Sequence, residues 1–317
     1  MTRGLRAYAV LLVIGAAWGI SAPLIKIAVG AGHRPVAIVF WQSLLATLVL
    51  GVALAARGKL WSMPRDARHL GLYAVVGLCG MALPSWASYS ATRFLPSGVV
   101  SIIISLVPVF ALPLALALGT ERFVPRRLLG VALGALAMAL LIGPEASLPA
   151  PGLWIWVPVA ALAPFFYAIE GAYVYGASAR RAGPFQMLWA GYVVSILTSG
   201  VLVWLDHAPL LPESGFGWPG LGFVLSGLLG IGAYGGYLWL LRRTGSVFGA
   251  QVSYTVTGMG VVWAMVLLGE TYSGWIWAAL ALLFLGLFLV QPRRADAPRI
   301  ETGTATGTAA GAADVRA

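Results

Sequence analysis

From residue 7 onward the chain is a succession of apolar runs of about twenty residues, separated by short gaps. No other feature limits its fold so strongly, because twenty helical residues rise about 30 Å, the hydrocarbon thickness of a bilayer. Runs such as Ala7 to Val29 and Leu128 to Ile142 could not be covered by the polar residues available. Only 9% of the 317 residues are charged and 60% are hydrophobic, whereas a soluble domain carries roughly 25% charged residues. A soluble globule is therefore excluded, and the solvent for most of the surface is lipid.

Windows of this length predict an all-α integral membrane protein with ten transmembrane helices. The predicted spans are 6–29, 35–56, 69–91, 95–118, 126–143, 153–176, 184–205, 218–240, 246–268 and 273–291. The first reads as a retained helix rather than a leader, since its apolar stretch is long, carries Lys26 and ends without a small-x-small cleavage site. The Pro-rich stretch 144–152 divides the chain into two sets of five spans, residues 1–143 and 153–291. It is expected to be a periplasmic linker, and residues 292–317, rich in Ala, Gly and Thr, a disordered cytoplasmic tail.

The formal charge of +10 does not point to a nucleic-acid partner, which would need Lys and Arg gathered on a soluble face beside aromatics. The basic residues lie instead in the gaps between spans. Sixteen, from Arg3 and Arg6 through Arg57, Arg122, Arg180 and Arg242 to Arg299, fall on one side of the ten-span scheme, and only Arg34 and Arg93 on the other. This asymmetry predicts cytoplasmic N- and C-termini. The single cysteine, Cys79, allows no intramolecular disulfide and suggests no metal cluster, so neither metal nor other cofactor is expected.

The two sets of spans match each other at a constant offset of 149 residues, as from Pro35 to Pro184. At the same offset Gly71-Leu72 falls on Gly220-Leu221, Arg93 on Arg242, Ser97 on Ser246 and Glu121 on Glu270. Matches of such uncommon residues mark an internal repeat. With five spans in each half, the second is expected to be inverted relative to the first, and inverted halves suit a central cavity opened alternately to the two sides.

The stretch "WGISAPLIK" in span 1, the run from Ser97 through Pro108 to Leu141, and its weaker copy from Gly245 to Val290 resemble the drug/metabolite transporter superfamily, more narrowly its EamA branch. The resemblance covers about residues 7 to 291. It implies a ten-helix secondary transporter of the bacterial inner membrane, often an exporter of amino acids or related small metabolites. Thr257 stands where the family pattern has proline, so span 9 is expected to be less kinked than span 4, which Pro108 should bend.

At the 149-residue offset Trp18 falls on Tyr167 and Ser21 on Glu170. Three-residue spacing puts each aromatic and its polar companion on one helix face. Glu170 lies about 7 to 8 Å from the middle of span 6 at 1.5 Å per residue, within a half-thickness of about 15 Å. A carboxylate there costs about 2 to 3 kcal/mol to insert and is expected to face a cavity, where it could bind an ammonium group or carry a proton. Lys26, about 20 Å away in depth, is expected to snorkel to the interface rather than to pair with it.

Span 4 shows Ser97, Ser101, Ser105 and Pro108 on one face, and span 9 presents Gln251, Ser253, Tyr254 and Thr257. Span 3 offers Ser85, Trp86, Ser88 and Tyr89, and its counterpart offers Tyr234 and Tyr237. The expected cavity residues are Trp18, Ser21, Trp86, Tyr89, Ser101, Ser105, Tyr167, Glu170, Tyr234, Tyr237, Gln251 and Tyr254. Aromatic walls with a few hydroxyls and one carboxylate suit a small amphipathic substrate such as a neutral or aromatic amino acid. Purines and cationic compounds are the alternatives. An enzyme would need paired acids, an H-E-x-x-H site or a G-x-S-x-G elbow; none is present, and no catalytic residue is assigned. Gly130 and Gly134 in span 5 predict close helix packing more than dimerisation, and the chain is expected to be a monomer or homodimer.

Overall fold

The computed structural model describes residues 2–119, 123–142, 150, 152–176, 182–212, 215–244 and 251–290. The predicted tail, most of the predicted linker, Glu121 and Ser246 lie outside the described residues. The described residues form helices and turns only: α1 Thr2–Gly19, α2 Ser21–Gly30, α3 Pro35–Ala55, α4 Ala67–Gly77, α5 Leu83–Thr92, α6 Ser97–Ile104, α7 Val107–Ala117, α8 Pro125–Ile142, α9 Trp156–Gly176, α10 Pro184–Leu205, α11 Gly217–Thr244, α12 Val252–Leu268 and α13 Gly274–Val290. Seven helical stretches are long and apolar enough to cross a membrane, and α12 and α13 are shorter apolar helices. Large apolar side chains such as Val52, Leu197 and Val266 are more than 60% exposed, as expected of a surface solvated by lipid.

Prolines set where these helices start and break. Pro35 and Pro184, matched in the repeat, each stand at the start of a helix, where the missing N–H costs nothing. Pro23 cannot bond the carbonyl of Gly19, and the first apolar segment bends there into α1 and α2. Pro108 likewise leaves the Ile104 carbonyl without an amide donor. The fourth segment accordingly breaks between α6 and α7, and the Ser105 hydroxyl donates to the Ile102 carbonyl at 2.7 Å. α12, with Thr257 in place of proline, runs unbroken from Val252 to Leu268. The third segment contains a π-helical turn, Leu78–Ala82, between α4 and α5.

The main helix pairings recur when the two halves are exchanged. α1 lies against α12 and α11, as its counterpart α9 lies against α6, α7 and α5. α3 pairs with its own counterpart α10, and α8 with α13. The α3–α10 pair is joined by the buried hydroxyls of Ser43 and Ser195, 2.8 Å apart, and by Trp189 Nε1 donating to the Thr47 carbonyl at 3.0 Å. In the α8–α13 pair a Cβ on Gly130 would lie 2.6 Å from the Gly286 carbonyl oxygen, and one on Gly286 would lie 2.7 Å from that of Gly130. The glycines predicted to pack closely do so within one chain. Gly286→Ala is therefore expected to part the two backbones and cost about 1 to 3 kcal/mol, seen as a lower melting temperature of the purified protein; an unchanged melting point would rule out this close approach.

Candidate functional site

A cavity of about 370 Å³ lies between the halves. Its walls come from the α1–α2 bend, α3, the π-turn with α5, α6, α9, α10, α11 and α12. Of the predicted residues, Trp18, Ser21, Tyr89, Ser101 and Tyr167 line it, together with Ser85 and Ser88 of the same span-3 stretch. Glu170 sits behind the wall at Gly80, where an added Cβ would fall 2.6 Å from the carboxyl carbon. The π-turn thus presents bare backbone to the carboxylate, and π-turns are frequent at functional sites. Among the described residues the one ion pair joins His69 to Asp66, so Glu170 has no cationic partner there.

The other predicted residues stand apart from the cavity. Tyr237 packs behind Trp18, with ring centroids 6.0 Å apart, and Tyr234 meets Phe185 edge-on at 6.1 Å. Ser105 is used at the helix break. Gln251 holds the N-cap position of α12. Tyr254 packs on Phe284 at 5.5 Å, its hydroxyl buried without a hydrogen-bond partner. Trp86 faces a separate pocket. The half-buried ammonium of Lys26 reaches the gap between spans 3 and 4, where it donates to the carbonyls of Leu95 at 2.8 Å and Arg93 at 3.4 Å.

The structure adds Gln42, Ser43, Thr92, Tyr192 and Ser226 to the lining. Gln42 is the centre of the polar wall. Its Oε1 accepts from the Tyr89 hydroxyl at 2.7 Å, and its Nε2 donates to the Phe223 carbonyl at 2.9 Å, with the Ser226 hydroxyl at 3.4 Å. A carboxamide in the middle of an uncharged apolar span was the available signal for it, since an unpaired amide in lipid is costly. Ser43 and Tyr192 stand 149 residues apart, so the repeat carried the signal for that pair. Gln42→Leu is expected to strand the Tyr89 hydroxyl and cost about 2 kcal/mol. A thermal scan beside Tyr89→Phe checks this; Gln42→Leu should be the more damaging, and the reverse order would be contrary to the network.

A second polar cluster ties the halves together. Glu270, just beyond α12, accepts hydrogen bonds from the Ser97 amide at 2.8 Å, the Ser97 hydroxyl at 2.9 Å and the Gly98 amide at 3.2 Å. The Tyr272 hydroxyl donates at 2.5 Å to Oε2, the oxygen that also accepts from Gly98. Ser97, predicted to share the span-4 polar stripe, is fully buried in this cap. The stripe is therefore split between a helix cap at Ser97, the cavity wall at Ser101 and a helix break at Ser105.

The uncharacterized inner membrane transporter YedA of Escherichia coli (strain K12) is 26% identical over 277 residues, 86% of each chain. Its counterpart from Escherichia coli O157:H7 matches to the same extent. A solved crystal structure shares the fold, with a TM-score of 0.62 at 18% identity over 90% of this chain and 97% of that one. The sequence model of the EamA-like transporter family matches residues 5–143 and again 154–291. A multi-pass helical bundle, two matched halves with a cavity between them, and this twofold match together place the chain in the EamA-like transporter family.

Proposed function

We propose that this chain is a secondary transporter that exports small amphipathic solutes bearing an ammonium group, amino acids foremost. Ten spans in two inverted halves would work by alternating access, with both termini on the cytoplasmic face of the inner membrane.

The observation that carries this reading is which repeat-matched residues reach the cavity. Inversion places matched residues at mirrored depths, so only pairs near mid-span can both line one cavity. Trp18 and Tyr167, and Ser43 and Tyr192, are such pairs, and all four residues line it. Ser85 and Ser88 lie nearer the end of their span. They line it, while their matches at Tyr234 and Tyr237 are not among its lining. Ser101 lines it as well, and its match, Ala250, lies outside the described residues. Ser21 lines it too, and its match Glu170 reaches it only through Gly80. A volume of about 370 Å³ is within the usual range for small-molecule sites, and the carboxylate with its flanking aromatics favours a cationic group.

Counterflow in proteoliposomes loaded in turn with leucine, phenylalanine, a purine and an aromatic quaternary amine tests the substrate class. Accumulation of labelled phenylalanine or leucine is expected. Accumulation of the amine or purine alone would replace amino acids by one of the alternatives.

A further inference from the structure

The pocket that takes Trp86 lies away from the central cavity and shares no lining residue with it. It encloses about 220 Å³ where the start of α3, the end of α5, the start of α9 and the end of α10 meet. Arg34, Arg93 and Asp206 line it, with Trp86, Phe94 and Trp156. Arg34 and Arg93 are the two exceptions to the charge asymmetry of the chain, and both open onto this one pocket.

Helix electrostatics do not account for two of its three charges. Arg34 is the N-cap of the 21-residue α3 and makes no side-chain cap hydrogen bond; a cation is disfavoured at that end of a helix. Asp206 is the C-cap of the 22-residue α10, where an anion is disfavoured for the same reason. The turn that holds it continues into His207, at φ 45 the one non-glycine residue of positive φ among those described, a conformation that carries strain. Arg93, at the end of α5, suits its helix terminus, but its guanidinium lies over the Phe94 ring at 5.7 Å. That ring stacks on Trp156 with centroids 4.0 Å apart. None of the three charges is in an ion pair with another.

We infer that this pocket is a binding site for a zwitterion, with a phosphate or carboxylate held by Arg34 and Arg93, an ammonium facing Asp206, and apolar substituents against Trp86, Phe94 and Trp156. No ion pair joins the helix-end charges as they stand, and such a ligand would place an opposite charge against each of them. Guanidinium groups suit the anion because their fork matches two of its oxygens. A phosphoethanolamine lipid headgroup and a free amino acid share this chemistry.

The test measures binding of three probes to the purified full chain: a short-chain phosphatidylethanolamine, phenylalanine and inorganic phosphate. Arg34→Gln with Arg93→Gln is expected to weaken the zwitterions at least tenfold. Asp206→Asn should weaken them several-fold while leaving phosphate unchanged or tighter. Each single arginine variant repeats the test should the double variant not purify as a monodisperse species. A lipid ligand shows as this pattern with the phosphatidylethanolamine only, and a solute ligand as the same pattern with phenylalanine. Run again in the Glu170→Ala background, which removes the carboxylate proposed for the central cavity, the dependence on Arg34 and Arg93 should persist, so failure of the transport reading and failure of this one are told apart. Binding of every probe indifferent to Arg34 and Arg93 overturns the site. Equal loss of phosphate and zwitterion in Asp206→Asn also overturns it.

Discussion

Glu270→Ala is expected to lower the stability of the folded protein by about 3 kcal/mol, since hydrogen bonds to a charged group contribute about 1.5 to 3 kcal/mol each and the lost ones are partly replaced by water. α6 is eight residues long and ends at the Pro108 break, so it has little cooperativity of its own to hold its first turn. Its opening N–H groups at Ser97 and Gly98 are satisfied by one carboxylate from the other half of the molecule. Removing that carboxylate strands both amides and the Tyr272 hydroxyl together. Glu270→Gln keeps one acceptor oxygen and should lose about half as much. Gly98→Ala should resemble the alanine variant by another route, because its new Cβ would sit on the Tyr272 hydroxyl. Thermal melting of the three purified variants checks the order; a Glu270→Ala protein as stable as the parent would show that the cap holds nothing.

Glu170→Ala is expected to reduce transport at least tenfold while the protein melts no lower than the parent. A carboxylate in an apolar helix with no cationic partner among the described residues is a cost to folding, so its removal should leave stability unchanged or raise it. A carboxylate kept for a structural ion pair would behave in the opposite way, since breaking such a pair leaves a stranded charge and destabilises by several kcal/mol. Gly80→Ala should reproduce the loss of transport with the glutamate still in place, because its methyl group would occupy the seat of the carboxyl. Counterflow and melting measured on the same preparations separate the two roles. A lower melting point with unimpaired transport would make Glu170 a structural residue.

The helices were legible because a bilayer allows so few ways of satisfying a backbone, and prolines then marked where they bend. The break before Pro108 and the unbroken α12 at Thr257 followed from the presence or absence of one ring. The site was legible only in part, since a repeat read along the chain matches residues without stating their depth. Tyr234 and Tyr237 were expected in the cavity because their matches, Ser85 and Ser88, carry hydroxyls. In the proposed inverted arrangement matched residues lie at mirrored depths, which would keep both tyrosines out, while Tyr254 is absent from the lining together with its match, Ser105. Gln42 and Ser226 were missed because neither has a polar match in the other half, where Gly191 and Gly77 stand. Glu270 was seen as a repeat mark and not as a cap, because its partners at Ser97 and Gly98 lie more than 170 residues away. No local pattern encodes such a contact.

The central claim is that one cavity serves both sides of the membrane in turn. Ser85 lines the cavity and is half-buried, so Ser85→Cys, with Cys79→Ser removing the native thiol, gives one reporter within it. Membrane-impermeant thiol reagents applied to right-side-out and to inside-out vesicles should both label it, with a transported solute changing the two rates in opposite directions. Labelling from one side alone, at a rate indifferent to solute, would contradict alternating access.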